Sequence, residues 1–184
     1  MNRKCGTCTL CCRLLPVREL DKGANQRCQH QRHTGCSVYH RPPAFPRSCG
    51  VWSCRWLTDD NAQELRRPDR VGYVIDQLPD LVKMRNKQTG EEERELMVLQ
   101  VWVDPARRDA WQEPGLLRYA EKMARDHGMG MLLRYSTREA VFVAAPPLSS
   151  DGQWHVVGDG TIAESVSGSI LLDRLAGVDR SESP

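Results

Sequence analysis

The chain has 184 residues, 40% of them hydrophobic and 27% charged, with a formal net charge of +2. That balance fits a soluble globular protein large enough for one domain, or for a small module attached to one. No apolar run approaches about 18 residues, so no transmembrane helix and no membrane partner are expected.

The opening MNRKCGTCTL has no apolar h-region, which excludes a secretory signal and makes the cytoplasm the expected location. In a reducing compartment, clustered cysteines are more often metal sites than disulfides. The small net charge hides an asymmetry. Residues 1–57 carry ten Lys or Arg against two acids, Glu19 and Asp21, and so +8, which leaves −6 for the rest. The cysteines end at the same place. Three parts are therefore expected: a cysteine-cluster module over 1–57, an α+β domain over 58–178 and a frayed tail over 179–184.

Residues 1–57 show no sustained period of either helix or strand. They hold Gly6, Gly23, Gly35 and Gly50, with Pro16, Pro42, Pro43 and Pro46, and few large aliphatic residues. Such a segment buries too little apolar surface to fold unaided and needs metals or disulfides as staples. Residues 58–70 read as a polar connector. Alternation of Val71, Tyr73 and Ile75 with Gly72, Val74 and Asp76 predicts a strand, and after a Pro79–Asp80 turn residues 81–86 are expected to pair back on it. The tract QTGEEERE reads as a polar turn, and 96–103, LMVLQVWV, as a buried strand.

Asp104–Pro105 and Glu113–Pro114 both look like helix starts, with Pro at the first helical position. The second helix is expected to run to about His127, with Leu116, Leu117, Ala120, Met123 and Ala124 on its apolar face and Gly128 as its cap. Strands follow at 129–135 and 139–145, joined by a tight turn at 136–138, and another at 153–157. Thr161 with Glu164 forms a capping-box pattern ahead of a last helix carrying Ile162, Val166, Ile170 and Leu171, although Gly168 lies inside it. The short connections favour an antiparallel arrangement. The expected fold class is thus α+β: a small, loop-rich, metal-stapled module followed by a mostly antiparallel sheet with two or three helices.

The chemistry lies in the cysteines: Cys5, Cys8, Cys11, Cys12, Cys28, Cys36, Cys49 and Cys54. The first four form C-x2-C-x2-C-C. A C-x2-C step turns two thiolates onto one ion, and Cys5, Cys8 and Cys11 match the contiguous part of a ferredoxin-type run. Zinc also uses C-x2-C pairs completed by a distant pair, for which Cys49 with Cys54 or Cys28 with Cys36 are available. Zinc and an iron–sulfur cluster both remain open. Cys11 and Cys12 are adjacent, and neighbouring side chains usually point apart. Two centres, or one ligand beside a structural or reactive thiol, fit better than a single site. His30 and His33, between Cys28 and Cys36, are alternative zinc donors, but solvated loop histidines are the favoured reading. His40 reads as a solvated loop residue and His127, at a helix C-terminus, as a surface one, and His155 lies in a polar strand with no visible partner in the sequence.

At these residues the chain resembles the CxxCxxCC cysteine-cluster family, the YkgJ-like zinc- or iron-chelating proteins of bacteria. The resemblance rests on Cys5-Gly-Thr-Cys8-Thr-Leu-Cys11-Cys12, on Cys28, on Cys36-Ser-Val-Tyr39 leading to Arg41-Pro42, and on Cys49 and Cys54. It covers about the first 57 residues and implies that all eight cysteines are candidate ligands. Tyr39 and Arg41 are one residue closer than in the family pattern, and the stretch from Pro42 to Cys49 is longer. A similar segment in the flagellin lysine methylases is taken to hold an iron–sulfur cluster. No further methylase signature is present, and that activity is not carried over.

The +8 segment also suits nucleic acid, with Trp52 and Trp56 as bases' stacking partners. Two metal–thiolate centres would neutralise part of that charge, and the tryptophans are better placed to cover the metal core and dock it on the following domain. No G-x-S-x-G, phosphate loop or H-E-x-x-H is present, so an enzyme is not expected. The leading expectation is a metal-binding protein whose zinc or iron–sulfur centre is structural and supports protein–protein interaction or assembly. A redox-active iron–sulfur protein or enzyme accessory subunit is the alternative, and a nucleic-acid-binding metal ribbon a weaker one.

Overall fold

The computed structural model describes residues 3–85, 89, 92–157 and 162–166. The fold is α+β with a mostly antiparallel sheet, as expected from the short connections. Its helices are α1 (Leu10–Leu14), α2 (Arg47–Val51), α3 (Arg55–Thr58), α4 (Pro68–Val71) and α5 (Pro114–His127). A two-stranded ribbon pairs β1 (Gln31–Arg32) with β2 (Gly35–Cys36). The larger sheet contains β3 (Tyr73–Ile75), β4 (Asp80–Arg85), β5 (Glu92–Val103), β6 (Gly130–Arg134), β7 (Ala140–Ala144), β8 (His155–Val157) and β9 (Ile162–Val166). Its strand order is β8-β7-β6-β5-β4-β9, with β3 also on β5. Among the described residues no helix is long and apolar enough to cross a membrane.

Two compact units share these elements. One comprises Met1–Gln77, Val101–Tyr119 and Leu133–Ala140; the other comprises Leu78–Gln100, Ala120–Leu132 and Val141–Pro184. The cysteine segment is thus part of a larger unit that takes in two later stretches of chain, and no unit boundary falls at residue 57.

In the first unit, β3 pairs antiparallel with the end of β5, Tyr73 opposite Val103 and Ile75 opposite Val101. All three β3 residues are buried, as are Val101, Trp102 and Val103, so the run 71–76 is apolar on both faces rather than alternating. Pro68 starts α4, and Gly72 ends it with a left-handed φ of 91° that a side chain would resist. The Asp104–Pro105 start yields only a 3-10 turn, Pro105–Arg107, in which Asp104 accepts from the Ala106 N–H at 3.1 Å. Glu113 gives a full helix: its Oε2 accepts from the Leu116 N–H at 3.0 Å and from the Tyr73 hydroxyl at 3.0 Å. A Cβ built on Gly115 would stand 2.3 Å from the carbonyl oxygen of Glu64. That glycine therefore lets the 64–65 backbone touch the first turn of α5.

In the second unit, β4 lies between β5 and β9, with Leu81 opposite Met97 on one side and Val166 on the other. Val82, Val98, Leu99, Met131, Leu132 and Val143 form its most buried positions. Three expectations are corrected. β4 does not pair back on β3; both lie along β5, which is long enough to offer 92–98 to one and 101–103 to the other. β5 begins at Glu92, inside the tract expected to turn, because β4 supplies ladder partners for it. Residues 162–166 form a strand instead of a helix, because β4 has a second edge to fill and an unpaired edge is costly. The remainder of that expected helix, and the tail 179–184, lie outside the described residues.

Candidate metal centre

All the cysteines belong to the first unit. Gly6 adopts φ +54°, and the Cys8 N–H donates to the Cys5 carbonyl at 3.0 Å, so the C-x2-C step is one tight turn. The turn places the Cys5 sulfur 3.5 Å from the Cys8 carbonyl oxygen. Thr9 then leads into α1, which carries Cys11 and Cys12 on its first turn. Leu10 and Leu14 of the same helix are buried with Cys8, Val74 and Trp102 in one cluster, against which Cys5, Cys11, Leu15, Ala24 and Trp52 pack. The apolar spacing of α1 therefore anchors the cysteine run to β3 and β5.

The later cysteines come back to this start. The Cys28 N–H donates to the Cys12 carbonyl at 3.2 Å. Cys49 lies on α2, whose first turn is held by Glu19: one carboxylate oxygen accepts from the Ser48 N–H and the other from its hydroxyl, both at 2.8 Å. Cys54 is buried just ahead of α3 and bridges Asp76 in a short antiparallel contact. Arg3 ties down the same corner. It donates to the Trp56 and Ala62 carbonyls at 2.6 and 2.7 Å and stacks over the Trp56 ring.

The thiols feel one another. Cys5 donates its proton toward Cys8; that bond, together with burial, pushes Cys5 well up, and the same bond, helped by the N–H groups of Leu10 and Asp69, outweighs burial and pulls Cys8 down to about 6. Cys11 and Cys12 repeat the pattern: Cys11 is pushed well up, whereas its hydrogen bond, aided by the Lys22 ammonium, brings Cys12 down to about 7. Cys49 is raised to about 11 by burial and by Cys12 and Cys28, and burial also raises Cys54, which interacts with Cys8. Seven thiols thus lie within electrostatic reach of one another in series: Cys54 of Cys5 and Cys8, Cys12 of Cys5, Cys8 and Cys11, and Cys49 of Cys12 and Cys28.

Lys22 is the residue that sequence reasoning missed. It is only 7% exposed. Its Nζ donates to the carbonyls of Arg13, Leu15 and Gly23, and it lies close enough to Cys28, Cys12, Cys49 and Cys11 to interact with each. Burial alone would lower such an ammonium, and the sulfurs oppose that shift. Nothing in the polar run around it distinguishes Lys22 from a surface lysine. Arg13, one residue beyond Cys12, pairs with Asp104.

Cys36 lies on β2 opposite Gln31, next to Gly35, whose Cβ position would stand 3.7 Å from the Gly6 carbonyl oxygen of the Cys5–Cys8 turn. His30 is half-buried and receives the Ser37 N–H on its carbonyl, while His33 is exposed. Among the described residues, no three Cys, His, Asp or Glu side chains stand in a ready arrangement around a metal position. The sulfurs are neighbours, but they are not closed on one point. Trp52 packs against the cluster of Cys8, Leu10 and Leu14, whereas Arg3 stacks over Trp56.

No protein-family model matches the chain, and no curated protein or solved structure matches it. The resemblance to the CxxCxxCC proteins therefore rests on the residues quoted for it.

Proposed function

We propose that the chain is a metal-binding protein of the CxxCxxCC type, with its cysteine cluster taking zinc ions or an iron–sulfur cluster. The observation that carries this is the gathering of seven thiols from four stretches of chain around α1, with two of them, Cys8 and Cys12, poised as thiolates. Thiolate is the form that binds metal. Cys5, Cys8, Cys11 and Cys54 are assigned to one centre, and Cys12, Cys28 and Cys49 to another. Because the sulfurs are not closed on one point, loading requires side-chain rearrangement and release of protons. The donor set suits soft, thiolate-seeking metals, and it would supply either a structural staple or an electron-transfer group.

The structural role is the leading reading. A cysteine-rich segment with few aliphatic residues gains order when its loops are cross-linked through metal, and the ordered unit then presents a surface to a protein partner in a reducing, cytoplasmic setting. The deciding measurement is anaerobic purification with a visible spectrum and quantification of zinc, iron and labile sulfide per chain. Zinc without colour supports the staple. Iron with matching sulfide and a brown protein makes redox function the reading. A chain that binds neither metal after purification from metal-supplemented medium, and after reconstitution, overturns the proposal.

A further inference from the structure

A cleft of about 540 Å³ opens beside the Cys5–Cys8 turn, within the first unit. This lies in the range of small-molecule sites. Thr7 and Thr9, the two residues flanking Cys8, line it together with Arg27, Gln31, Arg32 and Asp69. Arg27 and Arg32 are both exposed. Asp69 is the one acid in the lining, and its charge is already matched. Arg67 donates to both of its carboxylate oxygens, at 2.7 and 2.6 Å.

The two hydroxyls are set in the same way. Thr7 Oγ1 accepts from Arg67 Nη2 at 2.8 Å, and Thr9 Oγ1 accepts from Gln31 Nε2 at 2.8 Å. A hydroxyl that accepts one hydrogen bond still has its own proton to give. With His33, which also lines the cleft, the lining therefore combines two guanidinium groups, two hydroxyl protons, an imidazole and a neutralised carboxylate; Nη1 of Arg32 already donates to the Gln29 and Gln31 carbonyls. Forked guanidinium donors with short hydroxyl donors are the usual partners of phosphate oxygens.

We propose that this cleft binds a small phosphorylated compound, a phosphate monoester or diphosphate, with Arg27 and Arg32 on its oxygens and Thr7 and Thr9 donating from the cysteine turn. Among the described residues no Phe, Tyr or Trp lines it, which favours a small molecule over a nucleic-acid strand, better served by an extended groove with aromatic platforms. The ligand would contact the residues on either side of Cys8. Binding of the anion does not depend on metal in the cysteine cluster.

The test is calorimetric titration of the full-length protein with inorganic phosphate, pyrophosphate and ADP, and with single-stranded oligonucleotides of increasing length. The expected result is saturable binding of pyrophosphate or ADP at one per chain. Arg27→Gln and Arg32→Gln should each weaken it by about tenfold or more, Arg27→Lys should weaken it less, and Arg118→Gln should leave it unchanged. Both cleft arginines are exposed, so their variants should fold, which circular dichroism checks. Absence of saturable binding by all three phosphates would overturn the proposal, as would equal affinity in Arg27→Gln, Arg32→Gln and the unmodified protein. Oligonucleotide binding that is tighter than ADP and grows with length would also overturn it, and would assign the basic surface to nucleic acid.

Discussion

The indole Nε1 of Trp52 donates to Oδ2 of Asp76 at 2.9 Å. Around that bond, Arg55 Nε donates to the Asp76 carbonyl at 3.2 Å and the Gln77 N–H to the Ser53 carbonyl at 3.0 Å. Residues 52–55 are thereby fastened to the chain that leaves β3, and Trp52 is held over the cluster of Cys8, Leu10 and Leu14. Replacing Trp52 with Phe keeps much of the apolar cover but takes the indole donor from the half-buried carboxylate. Destabilisation of about 1–3 kcal/mol is expected in urea unfolding, and Trp56→Phe should cost less.

Lys22 answers three carbonyls at once and supplies positive charge to the thiols around it. Lys22→Met should cost about 2–4 kcal/mol, because the carbonyls of Arg13, Leu15 and Gly23 lose their donor. It should also raise the pKa of Cys12, which Lys22 lowers. Thermal melts of the metal-free protein, together with the ultraviolet absorbance of thiolate against pH, read the two effects separately.

The same titration tests the thiol pairs. A thiol whose pKa is lowered is ionised above the lowered value, so Cys8 and Cys12 should appear as thiolates as pH rises through about 6 and about 7. Cys49, near 11, stays protonated there, as do the strongly raised Cys5 and Cys11. Cys8→Ser and Cys12→Ser should each remove one early step. An early step that survives both substitutions would show that the negative charge lies elsewhere in the cluster. Because protons must leave before metal binds, metal affinity should fall steadily as the solution is acidified.

The cysteines should not be equivalent toward metal. Cys5→Ser, Cys8→Ser and Cys54→Ser should each lower metal per chain and destabilise the first unit. Cys36→Ser should lose less metal than Cys8→Ser, since Cys36 is not among the seven thiols assigned to the two centres. Loss of metal in Cys36→Ser equal to that in Cys8→Ser would bring Cys36 into a centre and refute the partition into sets of four and three.

Gly115 gives a test away from the thiols. A methyl group added there would meet the Glu64 carbonyl oxygen at 2.3 Å, so Gly115→Ala must push backbone against backbone. A loss of about 1–3 kcal/mol is expected, even though alanine is the better helix former. Stability equal to or above that of the unmodified protein would mean that the 64–65 segment yields freely.

Much of the fold was legible because local patterns agreed with their surroundings. Glu113–Pro114 and Gly128 bracket α5 as expected, since a capping carboxylate and a left-handed cap act within a few residues of themselves. The runs 130–134 and 140–144 likewise fall where two apolar stretches meet a tight turn. Residues 162–166 were misread because a capping-box pattern states only a local preference. The open edge of β4, set by residues some eighty positions earlier, favours a strand there.

The sequence by itself determined which atoms are available. Eight thiols lie within 54 residues, four of them in C-x2-C-x2-C-C, ahead of a chain whose apolar rhythm requires an α+β fold. Only the tertiary structure decided which thiols interact, that Lys22 is buried among sulfurs, and that Trp52 covers the cluster while Trp56 serves Arg3. Spacing constrains neighbours along the chain, whereas the field at a sulfur is set by groups as distant along it as Asp69 is from Cys8, brought close by the burial of Leu10, Leu14, Val74 and Trp102.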